Sequence, residues 1–484
     1  MSTPDPAALA TVVARDVGVP VTISGLVRLS GGASRETWAF DAKATDGTEH
    51  RLVLRRDPGA SVGASARQTE FELLRAAAAG GVSVPAARVV LGPDDDLGSG
   101  FVMERIDGET IPRRILRDDE YAEARGVLAE QCGTEAARIH ALDVAALPDL
   151  PVLGVREQIE QYRGVLDSIG EPHPAFELGL RWLEDHAPPT VEPRLVHGDF
   201  RNGNLVVGPE GLRAVLDWEL AHLGDPVEDL GWCCVRSWRF GNVDRPVGGF
   251  GNVDDLLDAY VAAGGEPVDP EHLRYWETFG TLKWGVICEG QAFTHLSGIV
   301  RSVELATLGR RIAETEWDLL RLIEPDAVPR ARPTTPHDQR RDLPDRRSIQ
   351  DRPTAPELLE AVREFLERDV MTSTEGRTAF HARVAVNALG IVERELVLGP
   401  AVDAPVLERL AVLLGAPDAS PAELATALGA RIRDRTMDHR IDDVIEVVVA
   451  LTEAKLTVAN PRYLDDDPPE AGPGAGRGEA SDRR

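Results

Sequence analysis

The chain has 484 residues, more than one ordinary core holds, so its length predicts roughly two to four domains. Hydrophobic residues make up 43% and charged residues 28%, a composition typical of a folded protein. The formal net charge of -28 repels nucleic acid and anionic membranes, which argues against both as partners.

The cysteines and the first residues indicate where the chain resides. The four cysteines form no CxxC pair and no zinc spacing, which favours buried thiols in a reducing compartment. Residues 1–13 lack a basic region followed by an apolar run, and no stretch reaches about 18 uninterrupted apolar residues. We therefore expect no signal peptide, no membrane span and a cytoplasmic location.

The first hundred residues predict a sheet with helices. Asp5 and Pro6 supply an N-cap and a first-turn proline for a helix over Ala7 to Val17. A second helix, from about Ala64 to Ala79, interrupts a series of strand-like runs that turn formers separate. We expect an antiparallel sheet with one inserted helix over residues 1–107. The runs are Val27–Leu29, Thr37–Phe40, Leu52–Leu54, Val89–Val90 and Phe101–Met103.

The residues after about 108 are predicted to be mostly helical. Residues 325–353 are rich in Pro, Arg and Asp and predict an extended linker. Beyond it, Thr354 to Glu357 and Ser420 to Glu423 are capping-box patterns that begin helices, and one apolar stripe follows the first of them. We expect two units that fold independently, the second alone or paired with a second copy. The expected divisions are 1–107, 108–324, the linker 325–353, a helical domain 354–464 and a disordered tail 465–484.

One segment carries a chemical signature. From Leu195 an apolar pair leads into His197, Asp199 follows two residues later, and Asn204 lies five further on. The catalytic loop of protein kinases has the same spacing between its aspartate base and its metal-binding asparagine. Phosphoryl transfer explains that spacing, because the acceptor hydroxyl meets a carboxylate on one side while a metal ligand sits a few ångströms away.

The next stretch predicts a β-hairpin. Residues 205–207 and 212–216 are strand-like runs on either side of a turn at residues 208–211. Antiparallel pairing about that turn brings Asn204 next to Asp217. A carboxamide and a carboxylate at the open end of one hairpin form a hard-oxygen site suited to Mg²⁺.

Residues Leu195 to Asp229 resemble the signature of the aminoglycoside phosphotransferase-like family, and most of all the branch found beside or fused to acyl-CoA dehydrogenases. The resemblance covers roughly Val27 to Ile323. It implies an α+β, two-lobed protein-kinase-like fold, followed here by a small all-α domain. That second unit is similar to a helical domain of unknown function that accompanies such phosphotransferases in bacteria.

The resemblance also implies site residues. Asp199 is expected as the catalytic base, with Asn204 and Asp217 on Mg²⁺. Arg55, where typical kinases have lysine, is expected to hold ATP phosphates and to pair with a helix glutamate, with Arg56 as the alternative. A glycine-rich hairpin is expected over the phosphates, and main chain at the lobe junction on the adenine. The residues implied for the nucleotide are Ser30, Gly31, Gly32, Ser34, Arg55, Glu70, Glu104 and Ile106.

Further residues near the predicted site are expected to support it or to have one of two roles. His197 and Asp229 are expected to support the catalytic loop without touching substrate. Arg201 contacts either a phosphate or the acceptor, or else lies on the surface. Five tryptophans either line an acceptor pocket or pack in the helical core, and core packing is favoured. They are Trp232, Trp238, Trp276, Trp284 and Trp317.

The implied reaction is in-line transfer of the γ-phosphoryl group of ATP to a hydroxyl of a small molecule. The branch resemblance suggests a hydroxyacyl-CoA as the acceptor, and an aminoglycoside or amino alcohol is the alternative. A nucleotide-binding regulator without catalysis is the rival from another class. The presence of Asp199, Asn204 and Asp217 together argues against that rival.

Overall fold

The computed structural model describes residues 3–29, 36–57, 64–329 and 353–465. The predicted glycine-rich loop at residues 30–34, most of the predicted linker and the tail after residue 465 lie outside these ranges.

The N-terminal lobe is a five-stranded antiparallel sheet with strand order β1-β2-β3-β5-β4. The predicted runs are confirmed, although β1 begins at Val21, six residues earlier than expected. Helix α1 is capped by Asp5 and packs on one face of the sheet, while α2 packs on the other. The elements are α1 Pro6–Val17, β1 Val21–Arg28, β2 Glu36–Ala44, β3 Glu49–Asp57, α2 Ala64–Ala79, β4 Ala87–Val90 and β5 Ser99–Glu104.

The C-terminal lobe surrounds one long buried helix, α9, which packs against α7, α10 and α11. The lobe also contains two short antiparallel ribbons, β6 with β9 and β7 with β8. The helices are α3 Pro112–Arg117, α4 Ala122–His140, α5 Val155–Ile169, α6 Pro174–Asp185, α7 Val227–Cys234, α8 Val253–Ala262, α9 Pro270–Leu296, α10 Val303–Leu308 and α11 Ile312–Ile323. The strands are β6 Arg194–Val196, β7 Leu205–Gly208, β8 Gly211–Val215 and β9 His222–Gly224.

The third part is all-helical, and both predicted capping boxes form, at Thr354 and Ser420. The apolar stripe that follows Thr354 is only partly covered, since Leu358, Val362 and Phe365 each remain about half exposed. The helices are α12 Ala355–Phe365, α13 Met371–Ser373, α14 Gly376–Leu414, α15 Pro421–Arg433 and α16 Ile441–Ala459. A π-helical turn, Leu366–Val370, joins α12 to α13.

The helical unit packs directly on the C-terminal lobe, α15 against α6 and α16 against α11. Their buried apolar side chains form one continuous cluster. Polar contacts cross the same boundary: Lys455 Nζ lies 2.8 Å from Glu316 Oε1, and Arg433 Nη2 lies 2.7 Å from Asp167 Oδ1. The packing favours cooperative folding over the predicted pair of independently folding units, because each part covers apolar surface of the other.

The cysteines and the helix lengths bear on the expected environment of the chain. All four cysteines are buried and free, as predicted. Across the described ranges, none of the helices combines the length and the apolar character that a membrane crossing requires.

Candidate active site

The segment between β6 and β7 is held by one buried carboxylate at the start of α7. Asp229 accepts the backbone N–H groups of His197 (2.7 Å) and Gly198 (2.9 Å) and lies 3.1 Å from His140 Nε2. Burial raises the pKa of Asp229, but its contacts with His140 and His197 outweigh burial and lower it. Gly198 has φ 79°, and a Cβ there would lie 2.3 Å from the Leu220 carbonyl oxygen, so glycine is required.

His197 is fully buried and bridges two parts of the site. Its Nδ1 accepts the backbone N–H of Asp199 at 3.2 Å, so the ring proton lies on Nε2 and is donated to the Leu216 carbonyl at 3.1 Å. Burial lowers the pKa of His197, so the ring is neutral at neutral pH. The histidine thus ties the backbone of Asp199 to the residue that precedes Asp217, in agreement with the expected supporting role.

The Asp199 carboxylate is mostly buried and has three side-chain donors. Its Oδ1 accepts from Arg201 Nε and from Trp232 Nε1, both at 2.8 Å. Its Oδ2 accepts from Asn204 Nδ2 at 2.5 Å. A carboxylate offers about four lone-pair positions, so Oδ2 keeps one for a further donor, such as a hydroxyl.

The hairpin closes as the sequence predicts. Strands β7 and β8 pair with Leu205 opposite Val215, and Leu216 N–H donates to the Asn204 carbonyl at 2.8 Å. Asn204 and Asp217 therefore flank the same open end of the hairpin. Asp217 has φ 68°, a left-handed conformation that costs a non-glycine residue about 1–3 kcal/mol and is typical of functional sites.

Arg55 of β3 reaches the hairpin from the opposite lobe. Its guanidinium lies 3.1 Å from Glu70 Oε1 on α2 and 2.5 Å from Asp217 Oδ1, with Glu219 Oε2 at 3.6 Å. Burial lowers the pKa of Arg55, but the carboxylates of Glu70 and Asp217 outweigh burial and raise it. The predicted pairing of a basic β3 residue with a helix glutamate is thus present, and it extends to Asp217.

Arg56, the alternative to Arg55, points to the other face of the sheet. It pairs with Glu36 directly across β2, with 2.8 Å between Arg56 Nη2 and Glu36 Oε2, and is 4% exposed. Its Nη1 donates to the Leu97 carbonyl. Successive residues of a strand face opposite sides, so only one of the two arginines faces the cleft between the lobes.

The two residues expected at the lobe junction are at the end of β5 and just beyond it. Glu104 is the last residue of β5, and Arg105 N–H donates to the Arg51 carbonyl at 2.8 Å. Glu104 and Ile106 both line a cavity at this junction. Glu104 N–H donates to the Ala86 carbonyl at 2.9 Å, and among the described residues no backbone carbonyl accepts from the Ile106 N–H.

A family model described as "Phosphotransferase enzyme family" matches residues 25–275, just over half of the chain. The chain belongs to this phosphotransferase family. A second family model, of a domain of unknown function (DUF6285), matches residues 372–463.

Relatives of this phosphotransferase share only part of their length with it. It is 27% identical over 331 residues to acyl-CoA dehydrogenase family member 10 of Mus musculus, covering 61% of this chain and 30% of that protein. It is 32% identical over 196 residues to family member 11 of the same organism, covering 37% and 24%. The chain therefore spans less than a third of the length of these two relatives.

A solved structure supports the fold alone. A Ralstonia eutropha protein assigned to the aminoglycoside phosphotransferases superposes with a TM-score of 0.53 at 20% identity, over 66% of this chain and 99% of that one. The two-lobed kinase-like fold of the phosphotransferase is thereby established, with the all-helical part beyond it.

Sequence reasoning missed a buried lysine behind the catalytic loop. Lys283 of α9 is 3% exposed, donates to the Gly198 carbonyl at 2.8 Å and lies 3.2 Å from Glu228 Oε1. Burial raises the pKa of Glu228, but Lys283 and His222 outweigh burial and lower it to about 2. The one available signal was composition: Lys283 is one of three lysines among 53 cationic residues, and it stands in an apolar helical run.

The five tryptophans divide into two groups. Trp276 and Trp317 pack in the core, as favoured. Trp232, Trp238 and Trp284 instead form a separate cluster beside Asp199, with ring centroids 5.2 Å and 4.8 Å from that of Trp238. The indole N–H groups of Trp238 and Trp284 are buried without an acceptor among the described residues.

Proposed function

We propose that this phosphotransferase moves the γ-phosphoryl group of ATP to a hydroxyl of a small molecule. The observation that carries the proposal is the convergence of Asp199, Asn204 and Asp217 around one hairpin, with Arg55 facing them from the other lobe. A regulator without catalysis would have no need of this constellation.

Asp199 is the group proposed to accept the hydroxyl proton. Its Oδ2 has one lone-pair position left, and the donors on Oδ1 fix the plane of the carboxylate. General-base catalysis typically contributes about 10²–10⁴ in rate. The larger share of phosphoryl-transfer catalysis comes from positioning and electrostatics, which a rigid carboxylate serves.

Asn204 and Asp217 are proposed to hold Mg²⁺, and the donor set fits that ion. The Asn204 amide nitrogen is engaged by Asp199, which leaves its oxygen as the ligating atom beside the Asp217 carboxylate. Mg²⁺ usually takes one or two protein oxygens and completes its shell with phosphates and water. When bound, the ion neutralises charge on the phosphates.

Arg55 is proposed to bind ATP phosphates, since it is mostly buried, faces the metal carboxylate and is oriented by Glu70. A guanidinium can engage two phosphate oxygens at once, which a lysine cannot. The adenine is proposed to bind main chain at Glu104 and Ile106. The contribution of Ser30, Gly31, Gly32 and Ser34 stays a prediction, because these residues lie outside the described ranges.

A hydroxyacyl-CoA is the proposed acceptor. The similarity to acyl-CoA dehydrogenase family members supports an acyl substrate. The wall beside Asp199 is an aromatic cluster suited to an acyl chain, and Arg201 is a cation within that wall. A cation there fits an anionic acceptor better than a polycationic aminoglycoside. The cytoplasmic location and pairing with a second copy remain predictions.

An ATP-consumption screen tests the proposal. Hydroxyacyl-CoAs, amino alcohols, sugars and aminoglycosides are each offered with Mg·ATP, and Asp199→Asn serves as the blank. Support is acceptor-dependent ADP formation that Asp199→Asn lacks, with one phosphoryl group added to the acceptor by mass spectrometry. The transfer proposal is rejected if no class of hydroxyl raises ADP formation above the blank, and the acyl proposal if only another class does.

A further inference from the structure

The last described turn of the helical unit lies against the catalytic lobe. In this 3₁₀ turn, Pro461–Leu464, the Tyr463 hydroxyl donates to Asp318 Oδ2 of α11 at 2.5 Å. The guanidinium of Arg236 lies 5.3 Å from the centre of the Tyr463 ring, and its Nε lies 3.5 Å from Asp318 Oδ1. Arg236 is therefore held between an aromatic face and a buried carboxylate, and the aromatic face comes from the helical unit.

Arg236 begins the 3₁₀ turn Arg236–Arg239, and Trp238 is two residues further on in the same turn. Trp238 is 4% exposed and packs edge-on against Trp232. On its other side, the guanidinium of Arg201 lies 4.3 Å from the centre of a Trp238 ring. A turn of four residues has little internal freedom, so a displacement of Arg236 is passed to Trp238.

Arg201 and Trp232 are the two donors to Asp199 Oδ1. Both rest on Trp238, so the orientation of the carboxylate depends on the position of that indole. A continuous series of contacts thus runs from Tyr463 through Arg236 and Trp238 to Asp199.

We propose that Tyr463 is a positioning residue for the acceptor side of the active site, acting through Arg236 and Trp238 on the two donors of Asp199. The proposal rests on the proposed phosphotransfer function. It gives the helical unit a role in the reaction, namely to fix the wall against which the acceptor hydroxyl approaches. The series reaches Asp199 at Oδ1, whereas the guanidinium of Arg55 contacts Asp217, so we expect nucleotide affinity to be insensitive to Tyr463.

The first experiment needs no acceptor. Indole N–H resonances of the ¹⁵N-labelled full chain are compared between wild type, Tyr463→Phe and Arg435→Gln. Arg435, just after α15, pairs with Asp185 at the end of α6. This contact lies at the same interface but away from Tyr463, so the Arg435 variant is the matched control. We expect Tyr463→Phe to shift the Trp238 and Trp232 signals and to leave Trp38 unmoved, whereas Arg435→Gln shifts none of them. Unmoved Trp238 and Trp232 signals in Tyr463→Phe overturn the proposal whatever the acceptor is.

The second experiment uses the acceptor found in the screen. Coupling of this kind typically changes a measured constant roughly 2- to 30-fold, so Tyr463→Phe should lower kcat/KM for the acceptor by that factor and leave the KM for ATP unchanged. Trp238→Phe, at the other end of the series, should give a similar loss, and the double variant should lose less than the product of the two. Strictly multiplicative losses, or an equal rise in the KM for ATP, contradict the proposal. If the wild type is inactive with every acceptor, the result contradicts the proposed function and not the role of Tyr463.

Discussion

Raising the pH from 6.5 to 9 should remove a proton from His173 and weaken the fold. His173 precedes α6 and is mostly buried between two carboxylates, with Glu316 Oε1 2.9 Å from Nδ1 and Glu289 Oε1 3.5 Å from Nε2. Burial lowers the pKa of His173, and the positive charge of Lys455 lowers it as well. The two glutamates outweigh both effects and raise the pKa from 6.5 to about 8.

The sign and size follow from linkage. A histidine whose pKa is raised in the folded state contributes stability that is fully present below pH 6.5 and is lost as the pH rises through 8. A difference of about 1.5 pKa units corresponds to about 2 kcal/mol in the free energy of unfolding.

The assay is urea unfolding followed by tryptophan fluorescence between pH 6 and 9, on wild type and His173→Gln. Wild type should lose about 2 kcal/mol more than the variant over this range. His186→Gln, which replaces an exposed histidine at the end of α6, is the matched control and should follow wild type. Identical pH slopes for wild type and His173→Gln would refute the reasoning.

Three predictions concern the active site. Asp199→Asn should lower turnover about 10²–10⁴-fold and leave Mg·ATP affinity nearly intact by calorimetry, because the base touches the acceptor; a collapse of ATP affinity would contradict the assignment. Asn204→Ala and Asp217→Ala should each weaken Mg²⁺-dependent nucleotide binding. If the Mg²⁺ titration curve of Asp217→Ala overlays that of wild type, Asp217 is not a metal ligand. Arg55→Ala should raise the KM for ATP more than that for the acceptor, and Arg55→Lys should recover part of the loss; kinetics of Arg55→Ala equal to wild type would place the phosphate contact elsewhere.

Local chemistry explains why so much of the site was predictable. The adjacency of Asn204 and Asp217 follows from closing a short hairpin, which is a matter of turn residues and alternation within a dozen positions. The family resemblance favours Arg55 and leaves Arg56 as the alternative, because residue pattern alone does not give the register of β3 against β2. Once Glu36 is known to face Arg56, the strand alternation assigns the other arginine to the cleft.

The features that the sequence did not predict are contacts between residues far apart in the chain. Lys283 reaches the Gly198 carbonyl across 85 positions of sequence, and no local pattern encodes that approach. The stripe beginning at Leu358 was recognised as apolar, but alternation and periodicity do not tell how much of it another element covers. The contact of Tyr463 with Asp318 joins residues 145 positions apart. Such pairs are fixed by how α9, α11 and α16 pack, which depends on the whole lobe.

Long-range packing also bears on the prediction of independent folding, and it leads to a final prediction. Helices α6 and α11 pack against α15 and α16 as well as within their own lobe. Burial of apolar surface contributes about 25 cal/mol per Å², so uncovering an interface of this kind removes a large part of a net stability that is typically only about 5–15 kcal/mol.

We therefore expect the full chain to unfold in a single calorimetric transition, because neither part retains a complete core once the other leaves. A chain ending at residue 329 should melt at a lower temperature and tend to aggregate, since the faces of α6 and α11 become exposed. Arg409→Gln breaks a surface ion pair with Glu446 inside the helical unit and is the control that should leave the transition single and nearly unshifted. Two resolved transitions in the full chain, together with an unchanged melting temperature for the shortened one, would show that the helical unit folds apart from the lobe.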